Sequence, residues 1–133
     1  MNSTSSLPGT TDIDATLKAA RDLAIDLAMR AGAQLRDTLD QLRDITRKGT
    51  VDLVTDADKA SEALISAGIR AAFPSHRLIA EEGARGASGS QGEGHPFGWL
   101  IDPLDGTTNY AHRYPHFAVS IALEHHRRPV MGV

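Results

Sequence analysis

Six consecutive residues, Asp102-Pro103-Leu104-Asp105-Gly106-Thr107, set a cation's ligands beside an anion's. The apolar run Trp99-Leu100-Ile101 delivers Asp102 to the end of a buried strand. A carboxylate there is expensive unless it meets a positive charge. Pro103 biases Asp102 towards an extended conformation and fixes the φ of the turn. Asp105 follows three positions later, so both carboxylates and the intervening Leu104 carbonyl can converge on one point. An oxygen-only donor set suits Mg²⁺ and not Zn²⁺. Gly106 lets the backbone approach a ligand closely. Thr107 and Thr108 then open a short helical turn whose free N–H groups can meet an anion. A cation beside a phosphate is the arrangement of metal-assisted phosphoryl chemistry. By residue type alone, the same string is also an ordinary turn, since Asp, Pro and Gly are the usual turn formers.

Three further features bear on that choice. Glu81-Glu82 directly follows the apolar Leu78-Ile79-Ala80, although paired surface carboxylates are more often plain solvated charge. Asp52, Asp56 and Asp58 place three carboxylates within seven residues around Leu53-Val54. They also read as acidic residues complementing the start of a helix. The third feature is the stretch from Asn109 to Leu123. Other candidates are weaker. His112 and His116 have the i,i+4 spacing of a helical zinc pair, but Pro115 between them breaks that geometry. They read as surface or substrate-entrance residues. His125-His126-Arg127-Arg128 reads as a solvated hairpin turn.

The elements that must position these groups are legible in outline. Leu17, Ala20, Ala24, Leu27, Ala31, Leu35, Leu39 and Leu42 recur every three or four residues, which predicts a helix over Ile13 to Leu42 with Thr11 or Asp12 as its cap. Gly32 weakens its middle, while small residues there allow close helix packing. Lys48-Gly49 predicts a turn and Val51 to Val54 a short strand. A second helix is expected over Ala57 to Phe73, capped by a Thr55/Asp58 box and stopped by Pro74-Ser75. Leu78 to Ala80 is a strand, Gly83 to Pro96 a Gly- and Ser-rich surface loop. Gly98 to Ile101 is a strand ending in the Asp-Pro turn. Phe117 to Leu123 and Val130 to Val133 are further strands, with a polar turn over His125 to Pro129.

The bulk numbers narrow the class. A chain of 133 residues fits one domain, and a 41% hydrophobic fraction suffices for a core. A formal charge of −3 provides no basic field for nucleic acid or anionic membranes. With no Cys there is no disulfide, no thiolate site and no Cys nucleophile. No apolar run reaches membrane-spanning length, and the Ser/Thr-rich start lacks the features of a secretory signal. The expectation is a cytoplasmic protein whose residues 1–12 form a disordered leader to a domain over 13–133.

Val51-Asp52-Leu53-Val54-Thr55-Asp56-Ala57-Asp58, Ile79-Ala80-Glu81-Glu82, Trp99 to Asn109 and His116 to Ile121 together resemble, in order and spacing, the inositol monophosphatase family of lithium-sensitive, metal-dependent phosphatases. The resemblance runs from about Leu17 to Val133. It implies an α+β fold, a layered α/β sandwich of the sugar/inositol phosphatase type, of which this chain is the N-terminal half. It further implies that Glu81, Asp102 and the Leu104 carbonyl hold a first Mg²⁺, and that Asp102 and Asp105 hold a second. Asp58 and Thr107 would orient and deprotonate the attacking water. Glu82 would support the site, Gly106 and Thr107 would bind the phosphate, and Lys48 would sit on a hairpin near it. The implied substrate is a small phosphorylated polyol, foremost an inositol monophosphate. Relatives acting on fructose bisphosphate, histidinol phosphate or nucleotide 3′-phosphates share the pattern, and the family's homodimer is the assembly to expect.

One departure stands out. The family draws another metal carboxylate from a Trp-Asp-x-Ala-Ala-Gly-like motif in its C-terminal half. The single tryptophan here, Trp99, already belongs to the Asp-Pro-Leu-Asp element. The chain therefore reads as truncated, with a weakly held second metal and apolar surface left exposed. A weakly active or non-catalytic fragment is the rival expectation.

Overall fold

The computed structural model describes residues 10–42, 47–80 and 93–133. The apolar stripe of the first segment forms α1, Thr10–Leu42. Ala20, Ala24, Leu27, Ala31, Leu35, Leu39 and Leu42 are all buried, as their spacing requires. The helix starts earlier than expected. Asp12 is inside its first turn, where its charge favours the helix dipole, and is not the cap.

The second helix departs more from expectation. α2 covers Arg47–Ala72 without interruption, so neither the Lys48-Gly49 turn nor the Val51–Val54 strand forms. The reason lies in packing. Val54 and Ala57 continue the stripe of Ser61, Ile65 and Ile69, and they bury against Leu35, Leu39 and Leu42 of α1. Such contacts outweigh the modest helix penalties of Gly49, Thr50 and Val51. Thr55 is consequently mid-helix and caps nothing. Its hydroxyl donates to the Val51 carbonyl one turn back, at 3.0 Å. Pro74 ends the helix as expected.

One cluster joins Ala20 to Ala31 with Ile65 and Ile69, and another joins Leu35 to Leu42 with Val54 and Ala57. The two helices are therefore antiparallel. Their close approach is at Gly68, where a Cβ would lie 2.5 Å from Leu27 Cδ2. Gly32, expected to serve packing, has nothing within 4 Å.

A four-stranded sheet lies against this helix pair in the order β1-β2-β3-β4. β1 (Arg77–Ala80) runs parallel to β2 (Phe97–Asp105). β3 (Ala118–His125) and β4 (Arg128–Gly132) then complete an antiparallel meander. Phe97, Trp99, Ile101, Ile121 and Leu123 point into the helices and form the main core with them. The alternate residues face away, and Leu100 and Ile79 are 39% and 36% exposed. Above that face Arg77 Nη2 meets Glu124 Oε1 at 2.8 Å.

The β3–β4 turn is tighter than the sequence suggests. Only His126 and Arg127 lie between the strands, with φ of 49° and 63°. Positive φ at both central residues is the twist-matched geometry of a two-residue hairpin. No described helix is long and apolar enough to cross a membrane.

Candidate functional site

β2 does not stop at Ile101, as the Asp-Pro turn led us to expect. It continues through the motif to Asp105. Asp102 pairs with Ser120 and Asp105 with Ala118, and the register shifts between them. Pro103 has no N–H to give a ladder, so an irregularity at this point follows from its chemistry. The bulge is anchored through its apolar residue. Leu104 is 2% exposed and packs in the cluster of Leu35, Leu39, Leu42 and Tyr110. With Leu104 drawn inward, Asp102 is half-buried and Asp105 is exposed.

Gly106 follows with φ 87° and ψ 38°, a left-handed conformation that non-glycine residues adopt at a cost. A Cβ there would also approach the His116 carbonyl to 3.0 Å. The chain turns at this glycine into α3, Thr107–Ala111. The expected helical turn at Thr107-Thr108 is thus present. Tyr110 holds α3 to α1, its hydroxyl donating to the Leu35 carbonyl at 2.8 Å. Burial pushes the Tyr110 phenol up to about 12. Asn109 Nδ2 donates to the His116 carbonyl at 3.0 Å, which closes the loop that leads to β3.

Within the motif, two hydrogen bonds define the arrangement. The Leu104 N–H donates to Asp102 Oδ1 at 3.3 Å. Thr107 Oγ1 donates to the Leu104 carbonyl at 3.1 Å. These two bonds link Asp102, Leu104 and Thr107. Asp58 is half-buried on α2, one turn before Ser61. Ser61 reaches the motif directly, donating from Oγ to the Pro103 carbonyl at 2.7 Å.

Other expected members are placed less fully. Ala80 pairs with Ile101, so the described part of β1 ends beside β2 one residue short of Asp102. Glu81 and Glu82 lie outside the described residues. The backbone of Lys48 belongs to the first turn of α2 and not to a hairpin. Its side chain is also outside what is described. Among the described residues, no three His, Cys, Asp or Glu side chains converge where they could hold a metal ion.

His112 and His116 are exposed, in keeping with a surface role. His125 is different from expectation. It belongs to β3 and packs on Phe97 with ring centroids 4.5 Å apart.

Ser61 was not among the expected site residues. A signal for it exists, because it is the one hydroxyl in the stripe Val54, Ala57, Ser61, Ile65, Ile69. A polar atom at such a position must find a partner when buried.

Comparison with known proteins places this geometry. The profile of the inositol monophosphatase family matches residues 16–133. Inositol monophosphatase 2 of Solanum lycopersicum is 45% identical over 112 residues, which are 84% of this chain and 42% of that protein. Nus factor SuhB of Vibrio cholerae is 43% identical over 104 residues, 77% of this chain and 38% of that protein. Among solved structures, the inositol monophosphatase of Anabaena (Nostoc) sp. PCC 7120 superposes with a TM-score of 0.69 at 44% identity. That likeness covers 89% of this chain and 40% of the other. The chain thus spans about two fifths of the length of the relatives it matches.

Proposed function

The chain belongs to the inositol monophosphatase family, and on that premise we propose that its β2–α3 site serves Mg²⁺-dependent hydrolysis of a phosphate monoester, with inositol monophosphate as the favoured substrate. The observation that carries this reading is the bulged strand end, where Asp102, the Leu104 carbonyl and Asp105 precede a left-handed glycine and a helical turn.

The donor set fits the cation. The described site offers carboxylate and carbonyl oxygens, the chain has no Cys, and hard oxygen ligands favour Mg²⁺ over softer ions. Asp102, Leu104 and Asp105 would hold it, completed by Glu81. Bound Mg²⁺ supplies polarisation of the phosphoryl oxygens and neutralises charge on the leaving alkoxide.

The remaining work falls to the chain's own groups. Thr107 has committed its hydroxyl proton to the Leu104 carbonyl. Its oxygen is left as an acceptor, suited to receiving a hydrogen bond from the attacking water. Asp58 takes that water's other proton as the water oxygen adds in line to phosphorus and the P–O bond to the alcohol breaks. The Gly106 and Thr107 N–H groups bind the phosphate, and Glu82 and Lys48 take the supporting roles that the family resemblance implies. Arranging these groups before reaction spares the transition state their reorganisation.

A second reading, a chain that binds Mg²⁺ without turnover, is the alternative for a chain that spans about two fifths of its relatives' length. Phosphate release from inositol 1-phosphate separates the two. We expect Mg²⁺-dependent, lithium-inhibited release that Asp105→Asn abolishes. Absence of release at high protein and high Mg²⁺ would leave only the binding reading, and unchanged turnover in Asp105→Asn would refute the site.

A further inference from the structure

The peptide between Pro103 and Leu104 is held at both ends. Its carbonyl accepts the hydrogen bond from Ser61 Oγ at 2.7 Å. Its N–H, that of Leu104, donates to Asp102 Oδ1 at 3.3 Å. These two groups share one rigid plane, so they rotate together or not at all. We infer that Ser61 is a positioning residue for the Asp102 carboxylate, acting from α2 through this single peptide; the inference rests on the reading of Asp102 as a metal ligand.

Three observations favour that role. First, the ladder between β2 and β3 breaks between Asp102 and Asp105, so β3 does not fix this plane by regular pairing. Second, Ser61 is fully buried, at 0% exposure, so no solvent competes for its hydroxyl. Third, Pro103 is buried and has no N–H, which leaves its carbonyl as the main-chain polar group to be satisfied at that residue. A hydrogen bond to the carbonyl also polarises the peptide and strengthens its N–H as a donor to the carboxylate. Asp102 is thereby referenced to a long helix and not only to the irregular end of its own strand.

Removing the hydroxyl frees the plane. In Ser61→Ala the buried Pro103 carbonyl lacks its donor, and the peptide can turn to seek another. The Leu104 N–H turns with it and Asp102 loses its orientation. Partners that orient a metal ligand typically change affinity by about 10–100-fold when removed, and Ser61 acts one step further out, so a rise in Kd on the order of tenfold is expected.

The test uses Mn²⁺ binding to the full chain, followed by electron paramagnetic resonance of the free ion. Wild type should bind, Ser61→Ala should bind about tenfold more weakly at unchanged stoichiometry, and Ser61→Thr, which keeps the donor, should recover most of the affinity. If Ser61→Ala does not fold, Ser61→Cys supplies the comparison, because it keeps the volume and weakens the donor. An unchanged Kd in the variant that folds overturns the inference while leaving the metal site standing. Fewer sites at wild-type Kd also overturns it, since that reports lost folded protein and not a misoriented ligand. No binding by wild type overturns the metal-site reading and this inference together.

Discussion

At the scale of residues, the site depends on a few atoms whose conformational needs are specific. Asp102 to Thr107 was legible in the sequence because carboxylate, proline and glycine each have a separate chemical reason to be there. Gly106 is the sharpest case. Its φ of 87° is strained for any side chain, and a Cβ would meet a carbonyl oxygen at 3.0 Å. Gly106→Ala should therefore destabilise the fold by on the order of 1–2 kcal/mol, whereas the same replacement at a negative φ would stabilise slightly. Urea unfolding followed by the emission of Trp99 measures it, and wild-type stability would show that the turn can relax. Ser61 was less legible. A small residue in an apolar stripe looks like packing, and only the structure reveals the carbonyl its hydroxyl meets.

Elements were legible where one periodicity dominated and obscure where local and tertiary signals disagreed. The α1 stripe is regular over its length, and its buried face was read correctly. The N-terminal part of α2 was not, since Gly49, Val51 and Val54 locally favour a turn and a strand. Burial of Val54 and Ala57 against Leu35, Leu39 and Leu42 outweighs that preference, and no local window contains those partners. The β3–β4 hairpin was misjudged in a similar way. Its turn uses His126 and Arg127 at positive φ, where Asn-Gly would be the usual signal. Replacing His126-Arg127 by Asn-Gly removes that strain and should stabilise the chain by roughly 0.5–2 kcal/mol. Unfolding midpoints of the two proteins test this, and a loss of stability would mean that the two side chains contribute contacts worth more than the strain.

For the whole molecule, one half-buried imidazole links helix, loop and sheet. His76 stacks on Phe73 with centroids 4.6 Å apart, and its Nδ1 accepts the Trp99 Nε1–H at 3.0 Å. Burial, aided by neighbouring His95, lowers its pKa from 6.5 to about 4. Between those values the unfolded chain binds the proton and the folded chain does not, so stability rises with pH there. The stability from this group is complete above pH 6.5 and is lost as pH falls towards about 4. His76→Gln, an uncharged acceptor, should flatten that part of the pH–stability curve; an equal slope in both proteins would assign the acid sensitivity to other groups. The sheet's open face, with Ile79 and Leu100 partly exposed, belongs to a chain spanning about two fifths of its relatives' length. The proposed Mg²⁺ site rests on the oxygen donors of Asp102, Leu104 and Asp105 at the end of β2. Calorimetric titration of Mg²⁺ into wild type and into the Asp102→Asn/Asp105→Asn double variant tests that claim most directly. We expect saturable binding by wild type and none by the double variant, whose helical circular dichroism is retained. Equal binding by both proteins, or none by wild type, would contradict the account.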